Sequence, residues 1–144
     1  MSKKDKKNRR PTTAESLDVS TDNRKMVWIF DSVDNDGLFR FDPNRPDMNC
    51  ADILDKIIQY SKRTWADIKA EKHDNGKTKH HFLAVDGLSK AALERVKKLK
   101  VDNTGNNIFS IRINNLVRII GLRYGEKFII KWFDPAHNFY PATN

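Results

Sequence analysis

The last forty residues constrain the fold more than any other part of the chain. Three runs there, IFSIRI (108–113), LVRIIGLR (116–123) and KFIIKWF (127–133), are short and rich in β-branched and aromatic residues. Turn-forming NN and GE pairs separate them, so the pattern predicts a three-stranded antiparallel meander. Gly125-Glu126 suits a two-residue turn that pairs Tyr124 with Lys127 and carries Arg118 to a position opposite Phe133. In the earlier hairpin, one extra loop residue pairs Ile113 with Val117 and Ile111 with Ile119, which keeps that face apolar. Cross-strand partners share a face. Phe109, Ile111, Ile113, Val117, Ile119, Phe128, Ile130 and Trp132 are therefore expected to form the core side. The opposite face then carries Ser110, Arg112, Arg118 and Lys131 between Ile120, Ile129 and Phe133, with no carboxylate on these strands. Such a surface would attract a polyanion.

Upstream, MVWIF (26–30) reads as a first strand. The DSVDNDG that follows resembles a calcium loop, but aligning Gly37 with that loop's glycine puts Pro43 where a bidentate glutamate is needed. An acidic turn is the better reading. LFRFDPNRP could hold a brief second strand before Pro43 and Pro46 interrupt pairing. From Asn49, a plausible N-cap, the apolar period changes to that of a helix and predicts one over about residues 50–71, with Trp65 as a core anchor. HFLAV (81–85) could be a strand or a buried connector. Ser89 caps a second helix, with Ala92, Leu93, Val96 and Leu99 facing inward. The expected fold is α+β, with helices packed on one face of a twisted, mainly antiparallel sheet.

A chain of 144 residues has the size of one domain. Order is expected from Met26, giving a flexible basic tail over 1–25 and a single α+β domain over 26–144. The tail holds half of the net charge of +8, because residues 1–25 and 26–144 each carry a surplus of four cations. KKDKKNRRP could be a phosphate-binding arm, a localisation signal or a solvated, solubilising tail. No apolar run approaches the length that spans a bilayer, and no leader with an apolar centre is visible. The lone Cys50 excludes an intramolecular disulfide and a Cys-rich zinc site. These features predict a reduced, cytoplasmic protein without a membrane partner.

No Gly-rich phosphate loop, nucleophile elbow or paired strand-end carboxylates are present, which argues against a nucleotide-dependent enzyme or a serine hydrolase. RNA cleavage without a metal needs a base for the ribose 2′-hydroxyl, a cation for the developing phosphorane charge and an acid for the leaving oxygen. Arg112 and Arg118 offer the cation, and His137, Tyr140, His80 or His81 offer proton transfer. Tyr140 could instead stack a base, and His137, after Asp134-Pro135, could merely cap a turn. Lys131, Lys79, His81 and Arg123 are the further candidates for nucleic-acid contact. His80 and His81 point in opposite directions if extended, so at most one faces a site. His73, His80 and His81 lack a recognised zinc spacing, and neither a metal nor another cofactor is expected.

The order strand, long helix, shorter helix and three-stranded meander resembles the RelE/ParE superfamily of bacterial toxins, over roughly residues 26–140. Arg112, Arg118, Lys131, His137 and Tyr140 are the positions that match its strand cations and C-terminal His or Tyr. The resemblance implies a β-α-α-β-β-β fold, an endoribonuclease acting on RNA, commonly messenger RNA on the ribosome, and a cognate antitoxin as partner. ParE-like members act on DNA gyrase instead. The chain is longer than a typical member, and it inserts the proline-rich stretch 31–48. The alternative is a non-catalytic module that binds nucleic acid or a protein through the same basic face.

Overall fold

The computed structural model describes residues 21–141. One five-stranded sheet runs in the order β1-β5-β4-β3-β2, with β1 at Val27–Ile29, β2 at His81–Phe82, β3 at Ile108–Arg112, β4 at Arg118–Tyr124 and β5 at Lys127–Asp134. The meander β3-β4-β5 is antiparallel, β2 adds an antiparallel edge, and β1 pairs parallel to β5. The helices are α1 (Cys50–Ser61), α2 (Trp65–Ala70) and α3 (Lys90–Lys98). The α+β class and the mainly antiparallel sheet agree with expectation.

Both hairpin registers begin as expected: Ile111 faces Ile119, the Ile113 N–H donates to the Val117 carbonyl, and Tyr124 faces Lys127. The register then departs. Gly121 pairs with Ile130 and Ile120 with Trp132, so Lys131 is skipped as a bulge and Arg118 meets Asp134, not Phe133. One extra residue reverses every later side chain on that strand. Trp132 leaves the expected core face, and Phe133 joins it. Gly121 lies at the irregularity, where a Cβ would come within 2.3 Å of the Ile129 carbonyl oxygen.

The helices do not share one face. Phe109, Ile111, Ile119, Phe128, Ile130 and Phe133 pack with Ile53, Tyr60, Trp65 and Ile68 of α1 and α2. Ile108, Ile120, Leu122 and Trp132 pack in a second core with Ala92 and Val96 of α3, joined by Phe39, Leu83 and Phe139. The open basic sheet face expected from alternation is therefore covered over most of its length. The apolar residues the structure puts on this face required that cover: water-exposed Ile120, Leu122 and Trp132 would each forfeit about 2 kcal/mol of burial.

The single helix expected over 50–71 is two. Lys62 ends α1, Thr64 then caps α2 by accepting from the Asp67 N–H, and Asn49 and Ser89 cap α1 and α3 as expected. The stretch 31–48 forms no strand. It is tied down by Asp34, which is 3% exposed. The Asp34 carboxylate accepts from Arg95 Nε and Nη2 (2.9 and 2.8 Å), Trp132 Nε1 (2.9 Å) and the Asp36 N–H (3.1 Å). The Asp34 N–H donates to the carbonyl of bulged Lys131 at 2.9 Å. The acidic turn is thus a clasp joining the loop, α3 and β5.

Order also begins before Met26. The Trp65 N–H donates to the Arg24 carbonyl and the Ala66 N–H to that of Asp22. The Asp22 carboxylate binds Lys69 and Arg123, so residues 21–25 belong to the domain rather than to a flexible tail. The rest of the expected basic tail, residues 1–20, lies outside the described residues. No described helix is long and apolar enough to cross a membrane.

Candidate functional site

The cover over the second sheet face does not extend to the β3-β4 hairpin. There Arg112 and Arg118 stand directly opposite each other and therefore on one face. Two loops wall this end. One is the turn closed by the Lys72–Thr78 bridge, with Gly76 at φ +85°. The other is the turn 134–140 that follows β5. Between them lies a pocket of about 390 Å³ lined by His73, Asn75, Lys77, Thr78, Lys79, His81, Arg118, His137 and Tyr140.

Arg118 is held from one side. Its Nη1 donates to the carbonyls of Asn114 (2.9 Å), Asn115 (3.2 Å) and Val117 (3.2 Å), while Nε and Nη2 have no partner among the described residues. A guanidinium tethered in this way offers its other edge to an oxyanion. Burial, and after it the charge of Arg112, lowers the Arg118 pKa from its usual value. Arginine stays protonated nonetheless, and a bound anion would relieve both costs.

Asp134 builds the opposite wall. It is 1% exposed; Oδ1 accepts from the Ala136 and Asn138 N–H groups (3.3 and 3.0 Å), and Oδ2 from that of Phe139 (2.8 Å). Phe139 is buried against Phe39 and Trp132, with ring centroids 4.9 and 5.0 Å away. The Asp134 hydrogen bonds and this anchor hold His137 at φ +61°, a left-handed conformation that a non-glycine residue adopts at a cost of about 1 kcal/mol. Tyr140 packs against Gly87, where an added Cβ would lie 2.4 Å from the phenol ring. Gly87 therefore makes the space the tyrosine occupies.

The three pocket histidines favour the neutral form. Desolvation leads in each case. Arg118 comes next for His81 and His137, and Arg112 for His73; all three pKa values are lowered from the ordinary imidazole range. The Arg112 Nη1 lies 2.8 Å from ring nitrogens of His73, and its Nη2 donates to Asn115 Oδ1. No described group of three or more His, Cys, Asp and Glu residues could hold a metal ion.

His80 and His81 do point apart: His81 lines the pocket, and His80, 1% exposed, lies behind it. The Nδ1 of His80 accepts the Arg112 N–H at 3.0 Å, so the ring proton is on Nε2, 3.1 Å from Glu71 Oε1. Glu71 also binds Arg63 and Lys79. Burial outweighs the carboxylate and lowers the His80 pKa to about 4. Burial pushes Glu71 upward, but His80, Arg63 and Lys79 prevail and hold it at about 2. Burial raises the Tyr60 hydroxyl to about 12, and this hydroxyl donates to the Arg112 carbonyl.

These values set an acid limit. An unfolded His80 binds a proton near pH 6.5, whereas the folded one waits until about pH 4. Between those values the unfolded chain holds the extra proton, so stability falls on acidification, by on the order of 3 kcal/mol from this group. Glu71 extends the loss from about pH 4.5 to 2. Urea melts at pH 7, 5 and 4 should show that decline, and His80→Gln should flatten it between pH 6.5 and 4. An equal decline in the variant would clear His80 of the role.

Six of the eight sequence candidates converge here: Arg112, Arg118, His137, Tyr140, Lys79 and His81. The other two do not. Lys131, displaced by the bulge, donates from Nζ to the carbonyl and hydroxyl oxygens of Ser32. Arg123 is fully buried, bonded to Asp22 and the Gly125 carbonyl, with its guanidinium 3.9 Å from the Trp65 ring centroid. Lys77 and His73 also line the pocket; Lys77 is not among the sequence candidates, and His73 figures among them only as a metal ligand. The polar, glycine-containing HDNGKTKHH (73–81) was the available signal. No family model, no curated protein and no solved structure matches the chain.

Proposed function

We propose that the cleft binds the phosphodiester backbone of RNA and cleaves it by attack of a ribose 2′-hydroxyl on the adjacent phosphorus. The observation that carries this reading is the free edge of Arg118 in one pocket with neutral His137, His81 and the Tyr140 hydroxyl. In the proposed step neutral His137 takes the 2′-hydroxyl proton. The 2′-oxygen bonds to phosphorus while Arg118 neutralises the charge gathering on the non-bridging oxygens. The bond from phosphorus to the 5′-oxygen then breaks, and Tyr140 donates the proton that oxygen needs. The products are a 2′,3′-cyclic phosphate and a 5′-hydroxyl. His81 and Lys79 hold the flanking backbone. This roster needs no metal ion to complete the transfer.

The RelE/ParE resemblance extends the reading to messenger RNA on the ribosome as substrate and to a cognate antitoxin that blocks the cleft. The direct test uses purified full-length chain, a 5′-labelled RNA and EDTA. Cleavage should leave cyclic-phosphate ends and spare the same sequence 2′-O-methylated. Because the base must be neutral, the rate should rise with pH and level off above a midpoint below 6.5. Salt-sensitive binding with no turnover, on free RNA or on ribosomes, would instead identify a recognition module and remove the cleavage reading.

A further inference from the structure

A second pocket, also about 390 Å³, lies beside the first and is lined by Lys56, Tyr60, Glu71, Lys79, Arg112 and the Ile113–Asn115 turn. Lys79 belongs to both pockets. Arg112 lines the second and reaches His73 of the first. The two cations thus form a shared ridge between adjoining cavities.

The polar groups of this second pocket divide sharply. Its acceptors are occupied: Glu71 by Arg63, Lys79 and His80, Asn114 Oδ1 by the Leu116 and Val117 N–H groups, and Asn115 Oδ1 by Arg112. Its donors are not. Lys56 has no ion pair or hydrogen bond among the described residues, and the side-chain amide N–H groups of Asn114 and Asn115 have no partner there either. A cavity whose side-chain carboxylate and amide oxygens are spent, while an ammonium and two amide groups keep free donors, suits a ligand made of acceptors. Phosphate oxygens and the carbonyl edges of bases are such groups.

We infer that the RNA strand continues from the cleavage pocket across the Arg112–Lys79 ridge and seats a further nucleotide in the second pocket, with Lys56 on its phosphate. This rests on the RNA-binding reading above and adds to it a substrate longer than the two nucleotides flanking the cut. The volume lies within the range of pockets that enclose a small ligand. A double-stranded substrate is disfavoured, because its bases are committed to pairing and cannot enter a side pocket.

The test is an NMR titration of the full chain with 2′-O-methyl oligonucleotides, a dinucleotide and a hexanucleotide, on wild type and Lys56→Glu. Lys56 holds no contact that the fold needs, and the spectrum of the free variant reports its folding directly. In the wild type the hexanucleotide should bind about tenfold or more tightly than the dinucleotide, and it alone should shift the Asn114 and Asn115 side-chain amides. In Lys56→Glu that length gain should largely vanish and the salt slope should fall by about one, with dinucleotide affinity within about twofold. A length gain that survives Lys56→Glu overturns the second-pocket assignment and leaves the cleavage reading standing. Failure of wild type to bind either oligonucleotide overturns the RNA reading, and this inference with it.

Discussion

Replacing Arg118 by alanine is expected to lower the single-turnover rate of RNA cleavage by about 10²–10³-fold, the usual cost of removing one group that stabilises a developing oxyanion. The side chain carries little of the fold. Its contacts are three Nη1 hydrogen bonds to carbonyls of the exposed hairpin turn, worth on the order of 1 kcal/mol together in water. Arg118→Lys should recover little, because an ammonium replaces the charge but not the planar fork. His137 needs a different control, since its φ of +61° would strain most replacements. Asparagine tolerates that conformation, so His137→Asn isolates the loss of the imidazole. It should cost about 10²–10⁴-fold and abolish the rise of rate with pH below 6.5. Variants of both residues that are folded and cleave at the wild-type rate would show that the chemistry lies elsewhere.

The largest effect on stability is expected at Asp34. Its carboxylate, 2% exposed on the side chain, ends a bidentate pair with Arg95 and accepts from the buried Trp132 indole. Removing one partner of such a pair strands the other, which costs about 3–5 kcal/mol. Asp34→Ala should therefore lower Tm by about 10 °C, seen by calorimetry or as a lower urea midpoint with an unchanged slope. Burial works against the Asp34 charge, but Arg95, the Asp36 N–H and Trp132 together outweigh it and lower the pKa. The contribution is thus complete above the ordinary carboxylate pKa near 3.8 and is lost as pH falls below it. A fall of less than 1 kcal/mol would mean that the loop 31–48 closes without its clasp.

The position of Asp34 also explains why the fold was only partly legible. Its N–H holds the carbonyl of Lys131, the residue skipped in the β4-β5 register. Nothing in KFIIKWF announces that insertion, because a run of mixed apolar residues fits either face. The consequence was large: Lys131 left the basic cluster for Ser32, and Trp132 crossed to the second core. The helix break at Lys62–Thr64 had a local signal in TWAD, where Thr64 caps Asp67, but the apolar period continued through it. Arg123 shows the opposite failure. A cation on a strand reads as surface, yet Asp22 and the Trp65 ring bury it completely.

Local chemistry, readable in the chain alone, determined the meander, its turn at Gly125-Glu126, the caps at Asn49 and Ser89 and the candidates Arg112, Arg118, His137 and Tyr140, because alternation, turn preference and capping act between near neighbours. Tertiary structure alone decided that α3 covers the second face, that a bulge removes Lys131, and that His73 and Lys79 from one loop and His81 from β2 meet His137 and Tyr140 from another loop around Arg118. Those outcomes depend on which buried groups find partners across long stretches of sequence, and no period along the chain encodes such a meeting.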